Sequence, residues 1–184
     1  TGKAEICYAM KANPFLIKPM LEIVSSLEVC SPGEFRICER AGIPMEKIVL
    51  SGVYKNPDDI AYMLDRYGNS GTYTVESLQH LKVLNDTAVR HGIILSVLIR
   101  VTSGNQFGID EAEIRKIISE REKYAGIEIE GIQFYSGTQK RNLSQMQEEL
   151  EHLDAFIRDL EDINGMEIRT LEYGPGFFVP YFVK

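Results

Sequence analysis

Basic residues are in short supply in this chain: 20 Lys and Arg stand against 27 Asp and Glu, for a net charge of −7. No basic stripe outweighs that balance, which argues against a general affinity for nucleic acid or for an anionic membrane. Local positive spots such as Lys140-Arg141 are too small to change it. Cysteine is scarce as well. Cys7, Cys30 and Cys38 are odd in number, lack paired metal-ligand spacing and sit in apolar or amphipathic segments, so reduced core thiols in a cytoplasmic protein are expected. No apolar run is long enough to span a bilayer, and the amino terminus Thr1-Gly2-Lys3-Ala4-Glu5 has no signal-peptide pattern. Only three histidines occur. His80, His91 and His152 all fall in helical patterns away from strand ends, where surface or packing roles are expected, and no metal set is visible.

What the chain does have is regular alternation. With 184 residues, 44% of them hydrophobic and 26% charged, it can bury one sizeable core. Runs rich in branched residues read as strands at Glu5 to Met10, Leu27 to Cys30, Ile48 to Ser51, Thr72 to Val75, Ile93 to Val101, Ile127 to Tyr135 and Ile168 to Tyr173. Helical patterns lie between them. Leu143, Met146, Leu150, Leu153, Phe156, Ile157 and Leu160 recur at steps that put one apolar stripe on a long helix, a face expected to pack on the sheet. Ser31-Pro32-Gly33-Glu34 reads as a cap, a first helical proline and a capping-box glutamate, with Gly42 as the stop. Asp110 and Glu113 repeat that arrangement before Ile114, Ile117 and Ile118. No repeat, linker or low-complexity segment interrupts the pattern, so residues 1–184 read as one partial domain.

Strands separated by helices call for a mostly parallel sheet, because right-handed crossovers return each strand in the same direction. An open doubly wound sheet would place a glycine-rich turn after its first strand, whereas this strand ends in Met10-Lys11-Ala12-Asn13-Pro14 without glycine. A (β/α)8 barrel of the TIM type fits better, although about 250 residues are normal for one and this chain carries about seven strands, one short of closure. In a barrel the strand ends share one rim. Lys11, Ser31, Ser51-Gly52, Arg100, Tyr135-Ser136-Gly137-Thr138 and Gly174-Pro175-Gly176 all fall at or near such ends. Lys11 at the mouth of a buried strand has an apolar wall along its stem, which favours the neutral amine that a carbonyl compound needs; a lysine that merely snorkels to solvent is the plainer alternative. The glycine turn lets backbone N–H groups approach an anion, with Gly176 and Phe177 as donors because Pro175 has none. An amine and a phosphate seat together outline a site for pyridoxal 5'-phosphate.

Five segments carry a resemblance that covers essentially the whole chain in order: Tyr8-Ala9-Met10-Lys11-Ala12-Asn13, Glu28-Val29-Cys30-Ser31-Pro32-Gly33-Glu34, Phe107-Gly108-Ile109, Phe134-Tyr135-Ser136-Gly137-Thr138-Gln139 and Leu171-Glu172-Tyr173-Gly174-Pro175-Gly176-Phe177. They resemble the signatures of the fold-type III pyridoxal-phosphate decarboxylases, the group containing diaminopimelate, ornithine and arginine decarboxylases. The resemblance implies a cofactor-carrying barrel that is followed, in full-length members, by an all-β domain. It implies that Lys11 forms a Schiff base with the cofactor, that Glu28 stands beside the lysine, and that Arg100 approaches the ring oxygen. Glu34 matches a further site residue, yet the capping box with Ser31 accounts for it without any cofactor. Tyr135 stands where many members carry a ring-stacking histidine, which keeps a flat surface and removes a group that titrates near neutral pH. Thr138 replaces a serine near the phosphate, and Gly174 and Gly176 match two of three glycines, with Pro175 in place of the middle one. These variants look most like the branch acting on carrier-linked amino acids or in secondary metabolism.

The activity so implied is decarboxylation of an amino acid, whether diaminopimelate, another basic amino acid or a carrier-linked one, by a homodimer whose site draws on both subunits. An amino-acid racemase and a non-catalytic pyridoxal-phosphate-binding barrel protein are the alternatives. The expected acidic partner of the pyridine nitrogen lies on an eighth strand, beyond Lys184, so the chain reads as part of a longer polypeptide with little activity by itself.

Overall fold

The computed structural model describes residues 4–163 and 165–180; Thr1 to Lys3, part of the amino-terminal stretch read above, lie outside them. The chain divides into two compact units, residues 1–97 with 124–128 and residues 98–123 with 129–184. In the first unit, strands β1 (Cys7–Ala9), β2 (Ser26–Val29), β3 (Ile48–Leu50) and β4 (Thr72–Val75) neighbour one another in chain order, every pair parallel. Parallel neighbours need a crossover, and each strand is followed by a helix: α1 (Ile17–Met20), α2 (Pro32–Ala41), α3 (Pro57–Tyr67) and α4 (Leu78–His91). All three residues of β3 and the last three of β4 are buried, as expected of parallel strands covered on both faces. Strand β5 (Leu95–Val101) starts in this unit, where Leu95 N–H donates to the Gly126 carbonyl at 2.9 Å, and continues into the second.

Helix starts follow the capping residues closely. The Ser31 hydroxyl accepts from Glu34 N–H at 3.2 Å, Pro32 opens α2, and Gly42 closes it in the left-handed conformation at φ 71°. Asn56 and Ser77 cap α3 and α4 in the same way. The first strand departs from expectation. It runs over three half-buried residues rather than Glu5 to Met10, because Met10 turns into the core, fully buried, and accepts a hydrogen bond from the Cys38 thiol at 3.5 Å.

The second unit holds α5 (Glu111–Ser119), most of β6 (Ile127–Tyr135), α6 (Leu143–Asp162) and β7 (Thr170–Gly174). Asp110 caps α5 by accepting from Glu113 N–H at 2.9 Å, as the spacing predicts. Strands β6 and β7 are parallel, in register from Gly131 opposite Thr170 to Tyr135 opposite Gly174. The α6 stripe is only partly buried. Met146, Leu153, Phe156 and Leu160 are in the core, whereas Leu143 and Leu150 are 73% and 42% exposed and line an open apolar groove with Tyr173, Pro175 and Phe177. The expected continuous packed face therefore holds for the carboxyl-terminal half of the helix, while in the amino-terminal half Met146 is buried and Leu143 and Leu150 are not. Among the described residues, no helix is long and apolar enough to cross a membrane, and no cluster of three or more His, Cys, Asp or Glu could hold a metal.

Candidate active site

Lys11 follows β1 directly, in a one-turn 3₁₀ segment from Met10 to Ala12. The segment is fixed on both sides: Met10 anchors it below, and the Tyr8 hydroxyl donates to the Asn13 carbonyl at 3.0 Å. Lys11 itself is exposed, which corrects the apolar wall expected along its stem; the strand ends one residue early, and Met10 takes the buried place. The Lys11 amine makes no hydrogen bond or salt bridge with any described residue.

Opposite Ala9 in the neighbouring strand stands Glu28, half-buried, whose Oε1 accepts from the Ser51 hydroxyl at 2.8 Å. The same hydroxyl lies 3.3 Å from the Cys30 thiol. Burial, followed by the Glu28 charge, pushes the Cys30 pKa up, while Ser51 and the positive charge of Lys11 oppose that rise. Lys11, Glu28, Cys30 and Ser51 thus form one electrostatic neighbourhood at the ends of β1 to β3. Cys30 was expected to be a core thiol; it is half-buried at a strand end, and only Cys38 is fully in the core. Glu34 behaves as a cap: its carboxylate accepts from Cys30 N–H at 2.7 Å, reaching one residue further back than the capping-box pattern specifies.

A second polar group follows β4 that sequence reasoning missed. Glu76 is buried and accepts from Gly52 N–H at 2.8 Å. His80, also buried, accepts on Nδ1 from Glu76 N–H at 3.3 Å and lies 3.0 Å through Nε2 from the Val53 carbonyl, which fixes the Nε2–H tautomer. Burial first, then the nearby Lys55 charge, lowers its pKa and keeps the ring neutral. His80 therefore belongs to a strand end, contrary to the expectation that all three histidines lie away from one; the helical pattern hid it because it sits in the first turn of α4. An acid placed directly after the Thr72 to Val75 run was the available signal.

In the second unit, Arg100 lies late in β5 with its guanidinium 5.3 Å from the Phe107 ring centre. The chain then loops so that Ile109 N–H returns to the Arg100 carbonyl at 2.8 Å. After β6 and β7 come the two glycine turns. The Tyr135 ring lies over Gly174, where a Cβ would meet Tyr135 Cδ2 at 2.7 Å. Gly176 has φ 62°, and a Cβ there would overlap the Gly137 carbonyl oxygen, so the two turns approach where only glycine fits. Lys140 N–H donates to the Gly176 carbonyl at 2.9 Å, and Phe178 N–H to the Lys140 carbonyl at 3.0 Å. The N–H groups of Gly176 and Phe177 donate to no described residue. Thr138 and Phe177 are both exposed.

Lys140, counted with Arg141 as a local positive spot, is buried. Its amine donates to both Glu149 oxygens, at 2.8 and 2.6 Å, and to the Ser136 hydroxyl. Ser136 and the Tyr173 hydroxyl each donate to Glu149 at 2.7 Å. Burial pushes the Glu149 pKa up, but the hydrogen bonds from Lys140, Ser136 and Tyr173 outweigh it and hold the carboxyl below the usual glutamate range.

Parallel strands alternating with helices define a domain of the (β/α)-barrel class, incomplete at seven strands among the described residues. A solved diaminopimelate decarboxylase from M. jannaschii has the same fold: TM-score 0.85 and 27% identity over 99% of this chain and 46% of that one. The chain belongs to the pyridoxal-dependent decarboxylase family, residues 1–183 matching its pyridoxal binding domain. Diaminopimelate decarboxylase of Aquifex aeolicus is 31% identical over 195 residues, 97% of this chain and 46% of the relative. L-glutamyl-[BtrI acyl-carrier protein] decarboxylase of Niallia circulans is 26% identical over 85% of the chain and 39% of the relative. The chain thus spans about half the length of the curated relatives it matches. The residues present fit the family's cofactor, since the seat at Gly176 would be filled by any side chain and offers donors to a phosphate.

Proposed function

We propose that the intact protein is a cytoplasmic, homodimeric pyridoxal-phosphate-dependent decarboxylase acting on an amino acid. Diaminopimelate, another basic amino acid, or an amino acid joined to a carrier protein is the substrate class that the named relatives suggest. The observation that carries the reading is the turn at Gly176, whose backbone meets the Gly137 carbonyl without room for a Cβ and keeps two N–H donors unspent. Bound pyridoxal phosphate supplies an aldehyde that condenses with amines and a conjugated ring that accepts the electron pair left by a departing carboxylate.

The residues of the chain act as its positioners. Lys11 offers its amine to the aldehyde, and its lack of a salt-bridge partner leaves the amine to compete for nothing else. Glu28, steered by the Ser51 hydroxyl, places negative charge beside that amine. Arg100 binds the ring oxygen and Tyr135 offers its ring as a flat apolar support. Thr138, Gly174, Gly176 and Phe177 receive the phosphate through a hydroxyl and backbone N–H groups. Glu34 is left to cap α2.

Absorbance spectra of the intact protein titrated with pyridoxal phosphate test the assignment. Wild type should develop the visible band of a lysine-bound cofactor, and Lys11→Ala should not; a Lys11→Ala protein with the wild-type band would sink the reading. Release of carbon dioxide from diaminopimelate, lysine, ornithine, arginine and a carrier-linked glutamate then identifies the substrate, and racemisation without release would replace decarboxylation by the racemase alternative.

A further inference from the structure

The Lys140–Glu149 pair lies outside every role assigned so far, yet it touches both glycine turns. The five residues Ser136 to Lys140 lead from β6 towards α6, and the two ends of this segment are tied to one carboxylate. Ser136 donates to Glu149 Oε1 at 2.7 Å, and Lys140 donates to Oε1 at 2.8 Å and Oε2 at 2.6 Å. Gly137, Thr138 and Gln139 are therefore held as a loop stapled at its base. Within it Gln139 takes φ 61°, the only described non-glycine residue with positive φ, and its side-chain oxygen accepts from Val179 N–H at 3.1 Å. A left-handed glutamine persists only where its surroundings over-determine it, and such strain gathers at ligand clamps.

The same pair reaches the second turn by two further routes. Through its backbone Lys140 receives Phe178 N–H and donates to Gly176 carbonyl, which pins the segment carrying the spare donors of Gly176 and Phe177. Through Glu149 Oε2 it is bonded to the Tyr173 hydroxyl, one residue before Gly174, and the Tyr173 ring stacks parallel on Phe134 in β6 at 6.4 Å between centres. Every hydrogen of the Lys140 amine is used, and both carboxylate oxygens are saturated, so the arrangement has one geometry rather than several. A lysine that merely filled space would not bind both loops that meet at Gly176 and Gly137.

We propose that Lys140 and Glu149 are positioning residues that set the separation of the two glycine turns and thereby make the site select phosphorylated over unphosphorylated pyridoxal. The proposal rests on the pyridoxal-phosphate reading above. Neither residue touches the cofactor in this account; they act through the Gly137–Thr138 and Gly176–Phe177 backbone. Removing the clamp lets the turns part, and the spare donors no longer converge on one tetrahedral anion. Capture of the aldehyde by Lys11 does not depend on that convergence.

The discriminating measurement is the ratio of affinities for pyridoxal 5'-phosphate and pyridoxal, read by absorbance titration of the intact protein. Removing one partner leaves a buried charge alone, so the informative variant is the double substitution Lys140→Met with Glu149→Leu, which keeps volume and leaves no unpaired charge. We expect this protein to fold with a thermal midpoint near wild type, to bind pyridoxal as wild type does, and to lose about tenfold or more in preference for the phosphorylated form, as misplaced donors do. Ser136→Ala, which removes only the near tether and keeps the ion pair, should shift the ratio in the same direction by about threefold, and serves if the double variant fails to fold. A folded variant of either kind with the wild-type ratio, or with both affinities reduced in parallel, overturns the positioning role and leaves the pair as a stabilising element alone. Wild-type protein that captures neither compound overturns this proposal together with the reading beneath it.

Discussion

Lys11 and Lys140 carry the same amine and meet opposite surroundings. Lys11 stands exposed in a one-turn segment, with no hydrogen bond or salt bridge to a described residue and with Glu28 only as an electrostatic neighbour at Cys30. Lys140 is buried, bonded to both oxygens of Glu149 and to Ser136. A lysine held by hydrogen bonds to a buried carboxylate is kept charged and fixed in place, whereas one without such partners is free to move onto a ligand. Burial and saturation with partners mark Lys140 as structural, and the proposed function assigns the reactive role to the exposed, unpartnered Lys11. The sequence expectation put an apolar wall along the Lys11 stem, with snorkelling as the plainer alternative, and counted Lys140 only in a local positive spot; of the two stems it is that of Lys140 that is buried.

The sharpest way to break this distinction is to replace each lysine by methionine. Lys140→Met leaves the Glu149 carboxylate in place with only hydroxyl donors, and should cost about 3 kcal/mol in urea denaturation, the lower part of the range for a broken buried pair because Glu149 keeps some exposure. Lys11→Met removes an exposed, unpaired side chain and should change stability by less than about 0.5 kcal/mol while abolishing cofactor capture. Equal losses of stability would erase the difference between the two.

Glycines divide in the same manner. Gly176→Ala forces a Cβ into the Gly137 carbonyl at a positive φ and should cost about 2–3 kcal/mol and weaken phosphate binding. Gly33, in the first turn of α2, has nothing nearer to an added Cβ than the Ser31 hydroxyl at 3.8 Å, so Gly33→Ala should gain up to about 1 kcal/mol. Thermal unfolding of the two variants reads both signs. A neutral Gly176→Ala would show that the turns have slack, and the clamp at Lys140 would then have nothing to hold.

Much of this was legible before the structure because local rules were enough. Branched runs bounded by turn residues gave all seven strands, with β4 and β6 at the residues expected, and side-chain caps gave the starts of α2 and α5. Strand-end position and the resemblance single out Lys11, Glu28, Tyr135 and the Gly174–Gly176 turn, and each lies at or just after a strand end in the structure. What escaped depends on tertiary placement. Whether Lys140 is buried rests on Glu149, nine residues away on a helix, arriving beneath it, and no periodicity encodes that meeting. Met10 took the buried position assigned to the Lys11 stem because the strand stopped at Ala9, and strand ends are set by pairing with a neighbour. His80 carried the helical pattern faithfully while its ring turned back to Val53 and Glu76.

The carboxylates extend the contrast and carry its smallest expected effect. Glu39 on α2 accepts from the Tyr62 and Tyr67 hydroxyls at 2.7 Å each, with Arg36 and Arg66 at 3.2 and 3.3 Å, whereas Glu28 has one hydroxyl donor, Ser51. Those bonds, Tyr62 first and Tyr67 next, lower the Glu39 pKa from 4.5 to about 2. A carboxyl depressed on folding adds stability that is complete above its unfolded value and disappears as pH falls through the folded one. Glu39→Gln should therefore lower the thermal midpoint at neutral pH by an amount worth about 1 kcal/mol, discounted for the exposed arginines, and the gap from wild type should close between pH 4.5 and about 2. Its cofactor affinity should match wild type. Glu28→Gln should do the reverse, moving stability by less than about 0.5 kcal/mol and, on the proposed function, weakening cofactor capture, since its carboxylate has one hydroxyl donor and does not tie two helices together. If Glu28→Gln were the variant whose stability follows the acid limb, hydrogen-bond saturation would not separate structural carboxylates from those of the site.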